Sequence, residues 1–256
     1  MANLYLSDEP GTPAVGAEST VTGPDARHAV TVSRLAVGER VSVGDGAGII
    51  ASGLVTFVAP SEFRFEVDEL ERVDRPAPAI WLAQALAKGD RDELAIQAAT
   101  ELGVDGIIPW AASRSISRWE GAKIAKGQDR WGAVVREATK QSARAWIPEV
   151  APLVTTKQLA ALAATADVAV LDPLAQDSLS QFTPTPEGTD TAISGASDGA
   201  RDIVIVVGPE GGISPAELEL LYGAGARGAR LGGGILRTST AGPAAIAVLS
   251  AKLGRW

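Results

Sequence analysis

The chain of 256 residues contains no cysteine and a single histidine, His28. The first absence excludes disulfides and thiol catalysis, and the two together leave no ordinary ligand set for zinc. No run approaches the roughly 20 apolar residues of a membrane span. The opening Met1-Ala2-Asn3-Leu4-Tyr5-Leu6-Ser7-Asp8 lacks the basic flank and apolar stretch of a secretory leader. A cytoplasmic protein without metal or membrane partner is therefore expected. A surplus of positive charge is missing too. With 31 acidic and 23 basic residues the net charge is −8, which argues against a protein that coats nucleic acid unselectively.

A hydrophobic content of 46% with 21% charged residues belongs to a soluble globular chain long enough for two buried cores. Charge is unevenly placed. From Ser113 to Trp146 eight basic side chains (Arg114, Arg118, Lys123, Lys126, Arg130, Arg136, Lys140, Arg144) stand against three acids. Trp110, Trp119, Trp131 and Trp146 lie in or beside this stretch. Cations with aromatics can hold phosphates and stack bases. The other reading is a solvated helix with its tryptophans packed inward. We expect most of the tryptophans in core or interface and a subset of the cations in function.

The pattern of elements changes near residue 75. Before it the chain is β-rich. Thr22-Gly23-Pro24-Asp25 opens a short helix with a capping box. Arg40–Val43 and Ile49–Val58 read as strands about the turn Gly44-Asp45-Gly46, and Glu62–Leu70 alternates as a half-buried strand. Arg75-Pro76-Ala77-Pro78 is a linker. Beyond it strands alternate with helices: Trp81–Ala87, a helix over 91–102 capped by Asp90, Gly106–Ala112, a long helix to about 144, and Val168–Leu171. Such alternation implies an α/β domain with a mainly parallel sheet. Residues 176–202 are rich in Ser, Thr, Pro, Gly and Asp and read as an exposed, mobile insertion.

The last fifty residues are the most informative. The β-branched run Val204–Val207 ends in Gly208-Pro209-Glu210-Gly211-Gly212. Ser214, Pro215 and Glu217 then form a capping box with proline at the first helical position. A second loop, Leu231-Gly232-Gly233-Gly234-Ile235-Leu236-Arg237-Thr238-Ser239-Thr240-Ala241, precedes an apolar helix read as Pro243–Leu253. Glycine removes the Cβ from the path of a ligand, and in an α/β sheet such loops sit at the carboxyl ends of strands, where ligands bind. No Gly-Lys-Ser/Thr follows, so this is not a P-loop, and the glycines lie too late in the chain for a Rossmann fingerprint. Arg237, between glycines and helix start, could fork onto an anion, or could neutralise Glu210 or Glu217.

These two loops resemble the C-terminal signature of the SPOUT methyltransferases, and within them most closely the RsmE family, which methylates N3 of a uridine in small-subunit ribosomal RNA. The likeness extends to Glu101-Leu102-Gly103-Val104 with Ile107-Ile108-Pro109, to Arg114-Ser115, to Glu137-Ala138-Thr139-Lys140-Gln141-Ser142-Ala143-Arg144 with Pro148, and to His28, Val32, Arg34, Gly38-Glu39 and Asp45-Gly46 near the N-terminus. Four positions depart from the family pattern. Gly234 and Ser239 stand where arginine and glutamate are frequent, and Lys140 and Ala143 where Glu and Gly are usual.

The resemblance implies a small PUA-like β-barrel RNA-binding domain over residues 1–74 and a SPOUT methyltransferase domain over 79–256, with a parallel sheet and a C-terminal trefoil knot. It implies S-adenosylmethionine as cofactor, held by three loops: Leu171, Asp172 and Pro173; Val207, Gly208, Pro209, Glu210, Gly211 and Gly212; and Leu231, Gly232, Gly233, Ile235, Leu236, Thr238, Thr240 and Ala241. Arg237 is the expected catalytic residue, with Glu210 as candidate base and Arg114 as a further candidate. His28, Arg34, Arg114, Arg118, Lys140 and Arg144 are expected on the RNA, although for His28 alone a structural role is the simpler reading. The implied partners are 16S ribosomal RNA or the assembled small subunit, and a second copy in a homodimer to which the final helix could contribute. The rival readings are another SPOUT branch acting on a different RNA and a non-catalytic ribosome-assembly factor, which Gly234 and Ser239 would fit.

Overall fold

The computed structural model describes residues 4–7, 13–186 and 200–256. It divides into two compact units, one of residues 1–75 with 139–147, the other of 76–138 with 148–256.

In the first unit, β1 (Leu4–Leu6), β2 (Glu18–Thr22), β3 (Arg40–Gly44), β4 (Ile49–Ala59) and β5 (Glu62–Arg72) form one sheet in the order β1-β3-β4-β5-β2. Only the β1–β3 pair is parallel. Among the described residues the two ends of that order, β1 and β2, are not hydrogen-bonded to each other. Alternation on β5 puts Phe63, Phe65 and Val67 into a core with Val21, Val41, Val43 and Val55. Each such side chain contributes roughly 1.5–3 kcal/mol by leaving water. The β3–β4 turn is held by Asp45, whose carboxylate accepts the Ala47 and Ile49 N–H groups at 2.7 and 2.9 Å.

Helix α1 (Gly23–Thr31) begins at the expected place, but Thr22 makes no side-chain cap bond. Asp25, too short to complete the box, accepts the Leu6 N–H at 2.9 Å and pairs with Lys140 at 3.0 Å. Residues 139–147 pack beside the β3–β4 turn. Trp146 Nε1 donates to the Val73 carbonyl at 2.8 Å, and a Cβ on Gly48 would lie 2.6 Å from the Trp146 ring.

The second unit is parallel throughout. Strands β6 (Ile80–Ala85), β7 (Gly106–Ala111), β8 (Glu149–Val150), β9 (Val154–Thr155), β10 (Asp167–Leu171), β11 (Ile203–Val207) and β12 (Arg227–Ala229) take the order β12-β10-β11-β6-β7-β8, with β9 also against β7. Every residue of β6 and β11 is buried, as continuous apolar runs in a doubly covered sheet require. The helices are α2 (Arg91–Glu101), α3 (Ala122–Gln141), α4 (Thr156–Ala161), α5 (Pro215–Gly223) and α6 (Thr238–Lys252). Trp81 is in register with Gly106, where a Cβ would lie 2.2 Å from the indole.

Three local expectations change. Asp90 occupies the N-cap of α2 in a left-handed conformation without a side-chain cap bond; the neighbouring Asp92 instead accepts the Ala87 N–H at 3.0 Å. Helix α6 starts at Thr238, so Pro243 lies inside it and the hydroxyl cluster forms its first turn instead of preceding it. The segment 176–202 is not all exposed. Leu179 and Phe182 are buried, and the buried Asp202 accepts the Ala79 N–H at 2.8 Å; residues 187–199 lie outside the described residues.

Two stability predictions follow from backbone geometry. Gly106→Ala forces a methyl into the Trp81 ring and should cost about 1–3 kcal/mol, read as a lower urea midpoint at unchanged m-value. Ala143, where the resembled family usually has glycine, sits at φ 53°. Ala143→Gly should stabilise by about 1 kcal/mol by relieving the left-handed alanine, and a fall in the same midpoint would contradict this.

Candidate active site

Because the sheet is parallel, its carboxyl ends share one edge. β12, β10, β11 and β6 are consecutive neighbours there, so the turns that follow them lie side by side. These are the three loops singled out in the sequence, together with the Lys88–Arg91 turn. β6 leads to β7 on one side, while β10, β11 and β12 lie on the other. The topology therefore switches at β6–β11, where α/β sheets open a crevice.

The first loop is more tightly built than its composition suggests. A Cβ on Gly208 would lie 2.7 Å from Ile213 Cγ1, and one on Gly211 would lie 3.3 Å from Arg114 Cβ. Two of its glycines thus admit protein atoms, where room for a ligand was expected. Gly212 closes a turn at φ 70°, its N–H on the Pro209 carbonyl at 2.8 Å. Arg114 Nη1 donates to the Gly211 carbonyl at 3.1 Å. Arg114 therefore braces this loop from the turn after β7.

Ser214 caps α5 in the anticipated reciprocal box with Glu217, and Glu217 does more than cap. Its oxygens also accept from Ser113 N–H and Oγ at 2.8 and 2.7 Å and from Thr156 Oγ1 at 2.9 Å. One carboxylate ties the starts of α4 and α5 to the turn carrying Arg114. Burial would raise its pKa, but the Ser113 and Ser214 bonds outweigh this and bring it down to about 2.

Glu210 accepts from the Lys88 N–H at 3.2 Å and from Arg91 Nη1 at 3.0 Å. Burial pushes its pKa up, but its own N–H, the Lys88 N–H and Arg91 together hold it below the ordinary carboxylate value. A carboxylate so engaged is a poor proton acceptor, which counts against Glu210 as a base. Asp172 is likewise committed, accepting from the Leu174 N–H and the Tyr222 hydroxyl, each at 2.9 Å. Burial and then Asp172 push Tyr222 up to about 12.

In the second loop residues 232–237 are exposed, and Gly233 and Gly234 face open space. Arg237 is the exposed N-cap of α6. Among the described residues it forms no salt bridge, so it neutralises neither Glu210 nor Glu217. Thr238 is buried, its hydroxyl donating to the Gly208 carbonyl at 2.8 Å. It is a strut between the loops and not an open ligand contact. Arg118 is exposed.

In the first unit His28 is exposed and lines an open groove of about 610 Å³ with Arg27, Thr31 and Glu62, so the satisfied structural histidine is not what is found. Arg34 is exposed at φ 56°. Lys140 is corrected: its side chain is only 12% exposed and bound to Asp25, a buried structural pair and not a cation presented to RNA. Arg144 is half-buried. Sequence reasoning missed Arg91, Gln84 and Tyr222. A polar turn, Lys88-Gly89-Asp90-Arg91, directly after a buried strand was the available signal for the first.

An RNA methyltransferase domain model matches residues 74–250, and an RNA methyltransferase PUA domain model matches residues 21–68. The class is thus an RNA methyltransferase with a PUA domain. The ribosomal RNA small subunit methyltransferase E of Mycobacterium bovis is 39% identical over 261 residues, spanning 100% of this chain and 94% of that protein. Its Bacillus subtilis counterpart is 31% identical over 235 residues, 90% and 89% of the two chains. The ribosomal RNA small subunit methyltransferase E of Neisseria gonorrhoeae, solved bound to S-adenosylmethionine, superposes with a TM-score of 0.78 at 26% identity over 98% of both chains. A Legionella pneumophila structure in complex with the same cofactor gives 0.80 at 26% identity over 98% of both. The chain belongs to the ribosomal RNA small subunit methyltransferase E family.

Glu217 makes the assembled turns pH-sensitive. Its folded pKa lies below its ordinary 4.5, so the stabilisation is complete above that value and is lost as pH falls towards about 2. Glu217→Gln should flatten the pH dependence of unfolding in that window and lower stability at neutral pH. Urea titrations at pH 3 and pH 7 check it; an unchanged pH dependence would remove the hub role.

Proposed function

We propose that this protein transfers the methyl group of S-adenosylmethionine to N3 of a uridine in 16S ribosomal RNA. The observation that carries the reading is the alignment of the 171–173, 207–212 and 231–241 loops at the ends of three adjacent parallel strands, in a chain of this family. The cradle fits the cofactor. It offers exposed glycine backbone at 232–234 with open space where a Cβ would stand. The backbone of these loops would hold the nucleoside, and the bound cofactor supplies an electrophilic methyl on sulfur.

The chain's own task is to place the base in line with that methyl and to favour loss of the N3 proton. Arg237 stands exposed at the edge of the cradle, and its charge stabilises the imidate that forms as the proton leaves. Arg114 stays a weaker candidate because its guanidinium is spent partly on Gly211. The proton is taken by solvent or RNA groups in preference to Glu210. N3 lies on the pairing edge, so the uridine must be unpaired or turned outward. Arg118, with His28 and Arg34 of the PUA domain, contacts the RNA.

The finer points of this reading are a trefoil knot, a homodimer and a cytoplasmic location. β12 is an edge strand, yet α6 packs on α2 and touches β11 and β6. This return of the chain from the edge strand to the middle of the sheet supports the knotted reading. For the dimer, Ala245, Ile246 and Leu249 of α6 are core while Ala244 and Val248 are half-buried, and Leu174, Ile235 and Leu236, which are 90%, 84% and 41% exposed, offer further apolar surface to a second copy. No helix among the described residues is long and apolar enough to cross a membrane.

Calorimetry with S-adenosylmethionine is the first test, and absence of binding would leave only the assembly-factor reading. Nucleotide mapping of 16S ribosomal RNA from a strain lacking the gene should show one N3-methyluridine lost. Arg237→Ala should lower turnover by about 10²–10³-fold, the scale of one lost charge-stabilising group, with cofactor affinity nearly unchanged.

A further inference from the structure

Gln84 lies on β6, in register with Val207, the last residue before the first glycine loop. It is completely buried. Its side-chain nitrogen donates to the Ala85 carbonyl at 3.1 Å and to Thr238 Oγ1 at 2.9 Å, and Thr238 Oγ1 donates to the Gly208 carbonyl at 2.8 Å. The direction of this relay has one solution. The Ala85 carbonyl can only accept, so the amide nitrogen must face it. Thr238 Oγ1 must then accept the second amide hydrogen, and its own hydrogen is left for Gly208.

The arrangement has a cost that a purely structural glutamine would avoid. Gln84 Oε1 is buried and has no hydrogen-bond partner among the described residues, and a buried acceptor without a donor is destabilising. A buried leucine or methionine would pack against the same strands without it. The site of the cost is informative, because the relay joins three separate pieces of the cofactor edge. These are the end of β6, the carbonyl that opens the first loop, and the residue that starts α6 after the second.

We propose that Gln84 is a positioning residue for methyl transfer, acting through Thr238 to fix the Gly208 carbonyl and to set the spacing of the two glycine loops. It does not touch the reacting atoms. The inference rests on these loops being the cofactor cradle, but not on which base or RNA is methylated.

The test is calorimetric affinity for S-adenosylmethionine, with melting temperature measured beside it. Thr238→Val keeps the shape of the side chain and breaks both links. It should weaken cofactor binding by about tenfold, the scale of a lost buried hydrogen bond. Thr238→Ser keeps the hydroxyl and should restore the affinity. Gln84→Met should weaken binding to a similar degree, and the Gln84→Met/Thr238→Val pair should be no worse than the poorer single variant, because both cut one relay. Should Gln84→Met fail to fold, the Val/Ser comparison at Thr238 decides alone. Thr238→Val binding as tightly as the unaltered protein, or Thr238→Ser binding as poorly as Thr238→Val, overturns the proposal. Failure of the unaltered protein to bind the cofactor would instead overturn the functional reading.

Discussion

The single direction of the second sheet is the constraint on which the rest depends. Parallel strands must be crossed over by helices, and the helices cover both faces, so β6 and β11 are buried from end to end. The same direction gathers all the strand-to-helix turns on one edge. Four of them, after β12, β10, β11 and β6, are neighbours in the sheet although their strands are widely spaced in the chain. An antiparallel pairing of any one would carry its loop to the opposite edge. The site is thus a consequence of strand direction before it is a consequence of any side chain.

Carboxylates then hold the parts in place. This acidic chain uses buried acids chiefly to satisfy backbone N–H groups: Asp25 on Leu6, Asp202 on Ala79, Asp105 on Ile80 and Asp92 on Ala87. Near the glycine loops the pattern continues with Glu217 and Glu210. Each bond removes the desolvation cost of an orphaned donor and lowers the freedom of a turn. At Glu217 and Glu210 such bonds outweigh burial and hold the carboxyl below its ordinary pKa. That is why the carboxylate in the first loop is a brace and a poor proton acceptor. It also leaves Arg237 exposed beside the cradle, with no salt bridge among the described residues.

Some elements could be read locally. The Ser214 box with Pro215 and Glu217 is present as read, because a cap is decided within four residues. The apolar runs Val204–Val207 and Trp81–Ala87 read as strands, which the fold places at 203–207 and 80–85, and the turn at Asp45 reads as a hairpin. Other readings failed where a distant partner intervened. Asp25 had the spacing of a cap partner but is drawn to Leu6 and Lys140. Lys140 looked like one cation among eight, and only the fold shows it buried in that pair. Gly208 and Gly211 looked like room for a ligand, yet they make room for Ile213 and Arg114.

The residue order by itself determined the periodicities, the caps and the two glycine loops, because these depend on neighbours a few positions apart and on the backbone freedom of single residues. It also carried the family likeness, since the loop sequences survive as motifs. Only the tertiary structure decided that Gln84, Thr238 and Gly208 form one relay, that Arg91 answers Glu210, and that Glu217 gathers three helix and strand ends. Those pairings span tens to more than a hundred residues. Their partners are selected by which strand ends the parallel sheet sets side by side, a choice that no local pattern encodes.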